Sequence, residues 1–397
     1  MQPSSSSSTD VALKVPVTGP SIEPTEMPEA SSTGESVAKA TAGIGLVHMI
    51  RFVVGFVAQP MIAHNFGLGW QAEAYSVSTE IIQRLWLIFE KVINPAFLPN
   101  FIALMKEEGE ERAWKLASTA VWIVAFALLL MTPIAWFGMP TLVHWLSQEA
   151  DPGHIERTIV TSRTLLVGLF FLGFSSLTYT ILNGYKRFFY AALGDVCWKL
   201  GVLGGALIAA FTKAPPDKAL TIIIGGYVVG SIFKLVPQVF AIGKKWGLLK
   251  PRIDLSDPMA RKMFALAVPL LLGIVISEAR GFYLIRLAAD PSVTIEASVA
   301  ALKWSRIIGD NLIQIFPYAL SIGIFPFLAD LAREKDKQPL TDTLLNALRI
   351  CIFVFVPLIA ILIALRFPLL RAVWESGRLT QEDTVAMSGP FVAFTLG

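Results

Sequence analysis

The sequence predicts an all-α polytopic membrane protein, a two-lobed bundle of parallel six-helix repeats whose second lobe is incomplete. Three observations lead there. First, 54% of the 397 residues are hydrophobic and only 16% are charged, whereas soluble domains average about 25% charged residues. A mean hydropathy of +0.61 excludes an ordinary soluble globule. Second, windows of about 20 apolar residues, the length that crosses a bilayer, recur along the chain. Third, a punctuated segment near residue 97 is echoed near residue 324.

The elements follow in order. Residues 1–40 are rich in Ser, Thr, Pro and Glu and hold no apolar run able to form a core, so they read as a disordered tail. No apolar stretch follows a basic start, so they do not resemble a signal peptide. Apolar spans are expected at roughly 43–65, 72–104, 114–138, 158–183, 187–212, 218–241, 261–288, 296–330 and 342–365. A tenth starts near 385, and "MSGPFVAFTLG" supplies about half a span, so the chain reads as C-terminally truncated. The expected organisation is a tail (1–40), a first six-helix lobe (41–245), and a second lobe (246–397) with three complete spans and the start of a fourth.

The repeat rests on punctuation rather than on shared leucines. "FLPNFIALMKEEGE" (97–110) resembles "IFPFLADLAREKDK" (324–337). Pro99 lies seven residues before Lys106, as Pro326 lies seven before Arg333. Each copy leads into a span with an internal proline (Pro133, Pro357), then to "MPTLVHWL" or "FPLLRAVW". The copies are an even number of spans apart and so share an orientation, which makes the repeat parallel. Loop charge sets the orientation. With the N-terminus inside, cytoplasmic connections carry about 14 Lys and Arg against about 7 on the other side.

Charges within spans carry the functional signal. An ionisable group near the centre of a membrane helix costs about 2.5–3.5 kcal/mol or more, so it faces the bundle interior or water. Arg51 lies in the first span. Glu80, Arg84, Glu90 and Lys91 lie in the second, Asp195 and Lys199 in the fifth, Glu278, Arg280 and Arg286 in the seventh, and Lys303, Arg306 and Asp310 in the eighth. Glu80–Arg84 and Asp195–Lys199 have i,i+4 spacing and read best as packing ion pairs. Arg51 and Arg306 read best as lining a hydrated cavity between two lobes. Its cationic excess suits a diphosphate, which the planar guanidinium fork matches. Lys234, Arg163 and Arg349 read as snorkelling or interfacial. Pro95, Pro99, Pro317 and Pro326 mark bends in both halves, as cavity-lining breaks or as simple packing kinks.

Other classes are disfavoured. A net charge of +3 with no basic, aromatic-interleaved tract gives no reason to expect a nucleic-acid partner. Cys197 and Cys351 lie in apolar stretches and read as small core residues. The four histidines share no metal-ligand spacing, so no metal or other cofactor is expected. No nucleophile elbow, zinc-protease motif or phosphate loop occurs, so no enzyme is expected. Any transport would be driven by a gradient or the membrane potential.

Five segments then follow, in order, the landmarks of a known family: "AHNFGLGWQAEAYSVS" (63–78), "PAFLPNFIALMKEEGEE" (95–111), "ILNGYKRFFYAALGD" (181–195), "GIFPFLADLA" (323–332) and "ESGRLTQEDTVAMSGPFVAFTLG" (375–397). The sequence resembles the MurJ/MviN lipid II flippase family, within the multidrug/oligosaccharidyl-lipid/polysaccharide exporter superfamily. The resemblance covers about residues 43–397. It implies a bundle of two six-helix lobes in the bacterial cytoplasmic (inner) membrane. It also implies translocation of lipid II, the undecaprenyl-diphosphate-linked peptidoglycan precursor, by alternating access for cell-wall synthesis. Residue by residue, Glu73 occupies the family's acidic position after the first periplasmic turn. Arg306 matches an eighth-helix cavity arginine within one residue, and Glu90 a second-helix glutamate. Arg51 stands one position from a first-helix arginine, Val57-Ala58 has none after the glycine-aromatic pair, and Lys199 replaces a usual asparagine. The expected substrate contacts are Arg51, Glu73, Arg84, Glu90, Arg280, Lys303, Arg306 and Asp310.

Two other readings stand beside this one. One is an exporter of a different polyprenyl-diphosphate-linked polysaccharide precursor, a drug exporter being disfavoured by the excess of Arg and Lys. The other is a non-transporting, truncated scaffold whose partners are cell-wall synthesis enzymes.

Overall fold

A computed structural model describes residues 30–147, 151–290, 299–308, 328, 331 and 336–396, with side-chain surroundings from residue 45 onward. The chain divides into Met1–Gly43 and Ile44–Gly397. Of the first unit, only the opening of a helix is described. The helix packing lies within the second.

Ten α-helices are described, besides a helical stretch over 299–308. They are α1 (Ala30–Phe66), α2 (Trp70–Glu107), α3 (Glu110–Leu146), α4 (Pro152–Gly184), α5 (Phe188–Phe211), α6 (Pro216–Ile242), α7 (Pro258–Ala288), α8 (Gln338–Ala364), α9 (Arg366–Trp374) and α10 (Gln381–Leu396). A 3₁₀ turn, Gly243–Leu248, follows α6. Eight of these helices are long and apolar enough to cross a membrane. They match the expected spans, apart from 296–330, most of which lies outside the described residues. α1 starts at Ala30, ten residues inside the stretch expected to be disordered. Alanine is the best helix former, and extending an existing helix adds one hydrogen bond per residue fixed, so the apolar span carries helix backward into "ASSTGESVAKA".

Local chemistry sets the boundaries. Gly67 (φ 62°) ends α1 in the left-handed conformation, with its N–H donated to the Ala63 carbonyl at 2.8 Å. Gly109 (φ 90°) separates α2 from α3. Asp151 caps α4 through the Gly153 N–H at 2.7 Å, with Pro152 at the first helical position. Asp257 caps α7 through the Met259 N–H at 2.9 Å, and its carboxylate also receives both terminal nitrogens of Arg112 from α3.

The two copies of the proline–tryptophan punctuation fold differently. In the first, Pro140 lies inside α3, and its missing N–H leaves the Trp136 carbonyl without a helical donor. Arg163 of α4 supplies that donor through Nε at 3.1 Å, and its guanidinium also lies 5.2 Å from the Trp136 ring centroid. In the second copy the chain breaks at Leu365, and "RFPLLRAVW" forms the separate α9. The residues expected to match Pro99 and its partner, Pro317 and Pro326, lie outside the described residues.

Burial is graded across the bundle. α4 lies at its centre, with 72% of its apolar window buried, while α8 has 6% buried. Outward side chains such as Phe126, Phe137, Phe211, Phe240 and Phe353 present an apolar surface suited to lipid. Inside, hydroxyls link helices, as expected where apolar contact alone gives little drive for association. Ser162 donates to Ser78 at 2.8 Å, and Trp86 Nε1 donates to Ser176 at 2.9 Å. α5 and α6 pack backbone to backbone: a Cβ built on Gly201 would lie 2.4 Å from Gly230 Cα, and one on Gly226 would lie 2.6 Å from the Gly201 carbonyl oxygen.

Candidate functional site: a cationic cavity within the bundle

Arg51, Gly55 and Gln59 lie on one wall of α1, and Glu80, Gln83, Arg84, Leu87 and Lys91 form a stripe on α2. With Lys199 of α5, the 277–288 face of α7, the 299–307 stretch and Phe394 of α10, they enclose a cavity of about 810 Å³. That lies within the usual range for small-ligand sites, about 300–1,000 Å³. Seven cationic side chains line it (Arg51, Arg84, Lys91, Lys199, Arg280, Lys303, Arg306), against two carboxylates (Glu80, Glu278) among the described residues. In a low-dielectric surround, this excess focuses a positive potential into the cavity.

Glu278 sits deeper than the cations it holds, while Glu80, at 23% exposed, is more open than Arg84 and Lys303. The Glu278 side chain is 6% exposed. One of its oxygens accepts from Arg84 Nη1 at 3.2 Å and the other from Lys91 Nζ at 2.8 Å. Glu80 accepts from Arg84 Nη2 at 3.3 Å and lies 3.8 Å from Lys303 Nζ. Lys303 also donates to Thr79 Oγ1 at 2.7 Å. The Arg84 guanidinium lies across α7 at Gly281, where even a methyl group would stand 1.7 Å from Nη1. Only glycine leaves room for it there.

Of the expected contacts, the structure brings Arg51, Arg84, Arg280, Lys303 and Arg306 to the cavity. Arg306 also faces the Phe394 ring at 6.0 Å. Three others fall elsewhere. Glu73 is not on the cavity wall. In the first turn of α2, its carboxylate accepts the Ala300 N–H at 3.1 Å and ties α2 to the 299–308 helix. Glu90 lines a separate, water-sized cavity of about 30 Å³ with Trp86, Tyr179, Asp195 and Lys234. Asp310 lies outside the described residues.

Two charge readings are corrected. Asp195 does not pair with Lys199 one turn away. It accepts from Lys234 of α6 at 2.8 Å and lies 3.5 Å from Arg51 of α1. Lys234 does not snorkel: its side chain is 3% exposed, with its ammonium 4.4 Å from the Trp86 centroid and 5.4 Å from that of Trp198. The cause is that α6 packs along α5 and α4, which turns the face carrying Lys234 into the bundle. Lys199 instead crosses to α1, its stem 3.5 Å from where a Gly55 Cβ would stand. It thus brings a cation to the wall where Val57-Ala58 provide none.

Sequence reasoning left Glu80, Lys91, Lys199 and Glu278 out of the expected contacts. The signal was present: each is an ionisable group at membrane depth, and such groups turn inward whether or not they match a motif.

The arrangement is a cationic, anion-attracting chamber inside a helical membrane bundle. The family whose sequence model matches is described as "Lipid II flippase MurJ", and the match runs over residues 62–397. The chain belongs to the MurJ family. A probable lipid II flippase MurJ of Haemophilus influenzae is 25% identical over 366 residues, covering 87% of this chain and 70% of its own length. A probable lipid II flippase MurJ of Synechocystis is 20% identical over 386 residues, covering 94% and 70%. Among solved structures, a lipid II flippase MurJ in an inward closed conformation superposes with a TM-score of 0.73 at 18% identity, over 89% of this chain and 72% of that one. An inward-facing multidrug resistance transporter of the MATE family gives 0.66 at 16% identity, over 88% and 81%. The chain is thus a multi-pass membrane protein with the MurJ and MATE transporter fold.

Proposed function

We propose that this MurJ-family chain moves lipid II, a polyprenyl-diphosphate-linked peptidoglycan precursor, across the bacterial cytoplasmic membrane by alternating access, with its N-terminus in the cytoplasm. The observation that carries the proposal is the cationic excess of the 810 Å³ cavity. A diphosphate is the part of such a lipid that cannot enter hydrocarbon unaided. Arg84, Arg280 and Arg306 offer it planar, charge-assisted donors. Leu284 of α7 both lines the cavity and is exposed beside Tyr283 and Leu287, an apolar face along which a prenyl tail can remain in the membrane. The loop charge bias of the sequence supports the orientation. The family's named members support lipid II over other carriers.

The test is rescue of cells depleted of their own flippase, scored as lipid II reaching the outer leaflet. Arg84→Gln and Arg306→Gln are each expected to lower translocation by about tenfold, the effect of one lost charge-assisted contact, with membrane insertion unchanged. Full translocation by the doubly neutralised chain would overturn the proposal.

A further inference from the structure

Arg84 and Lys91 stand seven residues apart on α2, two turns along one face. Both reach across to a single carboxylate on α7, Glu278, and between them occupy both its oxygens, at 3.2 and 2.8 Å. The exposures are unequal. Glu278 is 6% exposed, Arg84 is 17% and Lys91 is 46%. The cations therefore border the cavity, while their counter-charge is set into its wall. Gly281, three residues further along α7, leaves the notch in which the Arg84 guanidinium rests.

We propose that Glu278 is an exchangeable counter-ion: it holds Arg84 and Lys91 when the cavity is empty and yields them to an entering diphosphate. This rests on the proposed function and names how that site selects its ligand. A counter-charge lowers the cost of holding these cations at membrane depth when the cavity is empty. Glu278 shares its single negative charge between them at fixed distance, with Glu80 also accepting from Arg84. A monoanion offers Arg84 and Lys91 no more charge than Glu278 already does and must also give up its hydration, so it gains little by displacing it. A diphosphate brings at least two charges and several oxygens in the fork geometry that arginine matches, and it wins the exchange. Glu278 then sets a threshold that favours diphosphates over the monoanions of the cytoplasm. The same exchange takes from α7 its charged tie to α2.

The experiment titrates inorganic pyrophosphate into the purified full chain in detergent micelles by calorimetry. Glu278→Gln keeps the shape and removes the competing charge. It is expected to tighten pyrophosphate binding by about tenfold, as when a charge-assisted hydrogen bond no longer competes. Asp257→Asn, which removes a carboxylate of the α7 cap away from the cavity wall, is expected to leave affinity unchanged. That contrast separates exchange at the site from a change of overall charge. Glu278→Asp, one methylene shorter, is expected to fall between wild type and Glu278→Gln, and it serves as the test if the Gln variant does not fold. If Glu278→Gln, or failing that Glu278→Asp, binds no tighter than wild type while Arg84→Gln and Arg306→Gln weaken binding, the exchange is overturned and the diphosphate cavity stands. If no form of the chain binds pyrophosphate, both are overturned.

Discussion

Gly281→Ala adds one methyl group and no charge, yet it should disturb the most connected ion pairs of the cavity. The new Cβ would stand 1.7 Å from Arg84 Nη1 and 2.4 Å from Cζ. The guanidinium must leave, and with it the contacts to Glu278 at 3.2 Å and Glu80 at 3.3 Å. Hydrogen bonds to charged groups contribute about 1.5–3 kcal/mol each. Lys91 remains on Glu278, so that carboxylate is not abandoned, and cavity water re-solvates Arg84. The loss is therefore about 2 kcal/mol rather than the 3–5 of a truncated buried pair. Against this, Ala for Gly inside a helix gains about 1 kcal/mol. The net expectation is destabilisation by about 1 kcal/mol. In an Arg84→Ala chain nothing remains to collide, and the same Gly281→Ala change should stabilise by up to about 1 kcal/mol. The assay is a double-mutant cycle of unfolding midpoints in detergent, which isolates the coupling. If Gly281→Ala shifts stability equally in both backgrounds, the notch does not act through Arg84 and the reasoning fails.

Asp257→Ala removes the α7 cap and the Arg112 ion pair and should cost about 2–3 kcal/mol, while Asp257→Asn keeps the cap and should cost about half as much. The Arg112 guanidinium hydrogen-bonded to it holds the Asp257 carboxyl below the usual carboxylate range. Its contribution is thus fully present above the ordinary value of about 3.9 and is lost only as pH falls through the lower folded value. The difference between wild type and Asp257→Asn should stay flat over about pH 5 to 8 in thermal unfolding. Gly201→Ala places a Cβ 2.4 Å from Gly230 Cα and should destabilise by about 3 kcal/mol or more. Gly204→Ala, with nothing within 4 Å, should be neutral or better in the same measurement.

The helices were legible in the sequence because lipid demands long apolar runs whose backbone groups pair within the segment, and that demand is written residue by residue. The family membership was legible in five ordered segments. The rotation of each helix was not, and rotation decides which charges meet. Glu80–Arg84 formed as spaced, but Asp195 passed over Lys199, on its own helix, for Lys234 and Arg51 on others. An i,i+4 pair is an option the local chain offers, and a neighbouring helix at closer range overrides it. Glu73 shows the same limit: position in a motif marked it as special without saying that its partner would be a backbone amide 227 residues away.

The glycine contact between α5 and α6 bears on any attempt to watch this bundle move. With Gly201 against Gly230 and Gly226 against Gly205, the two backbones lie in direct contact over several turns, which favours their moving as one body. Spectroscopic labels at the outward-facing Leu200 and Val229 would span the pair and are expected to read a constant length in every state. They would give the molecule its own calibration mark, against which any opening between α2 and α7 could be measured.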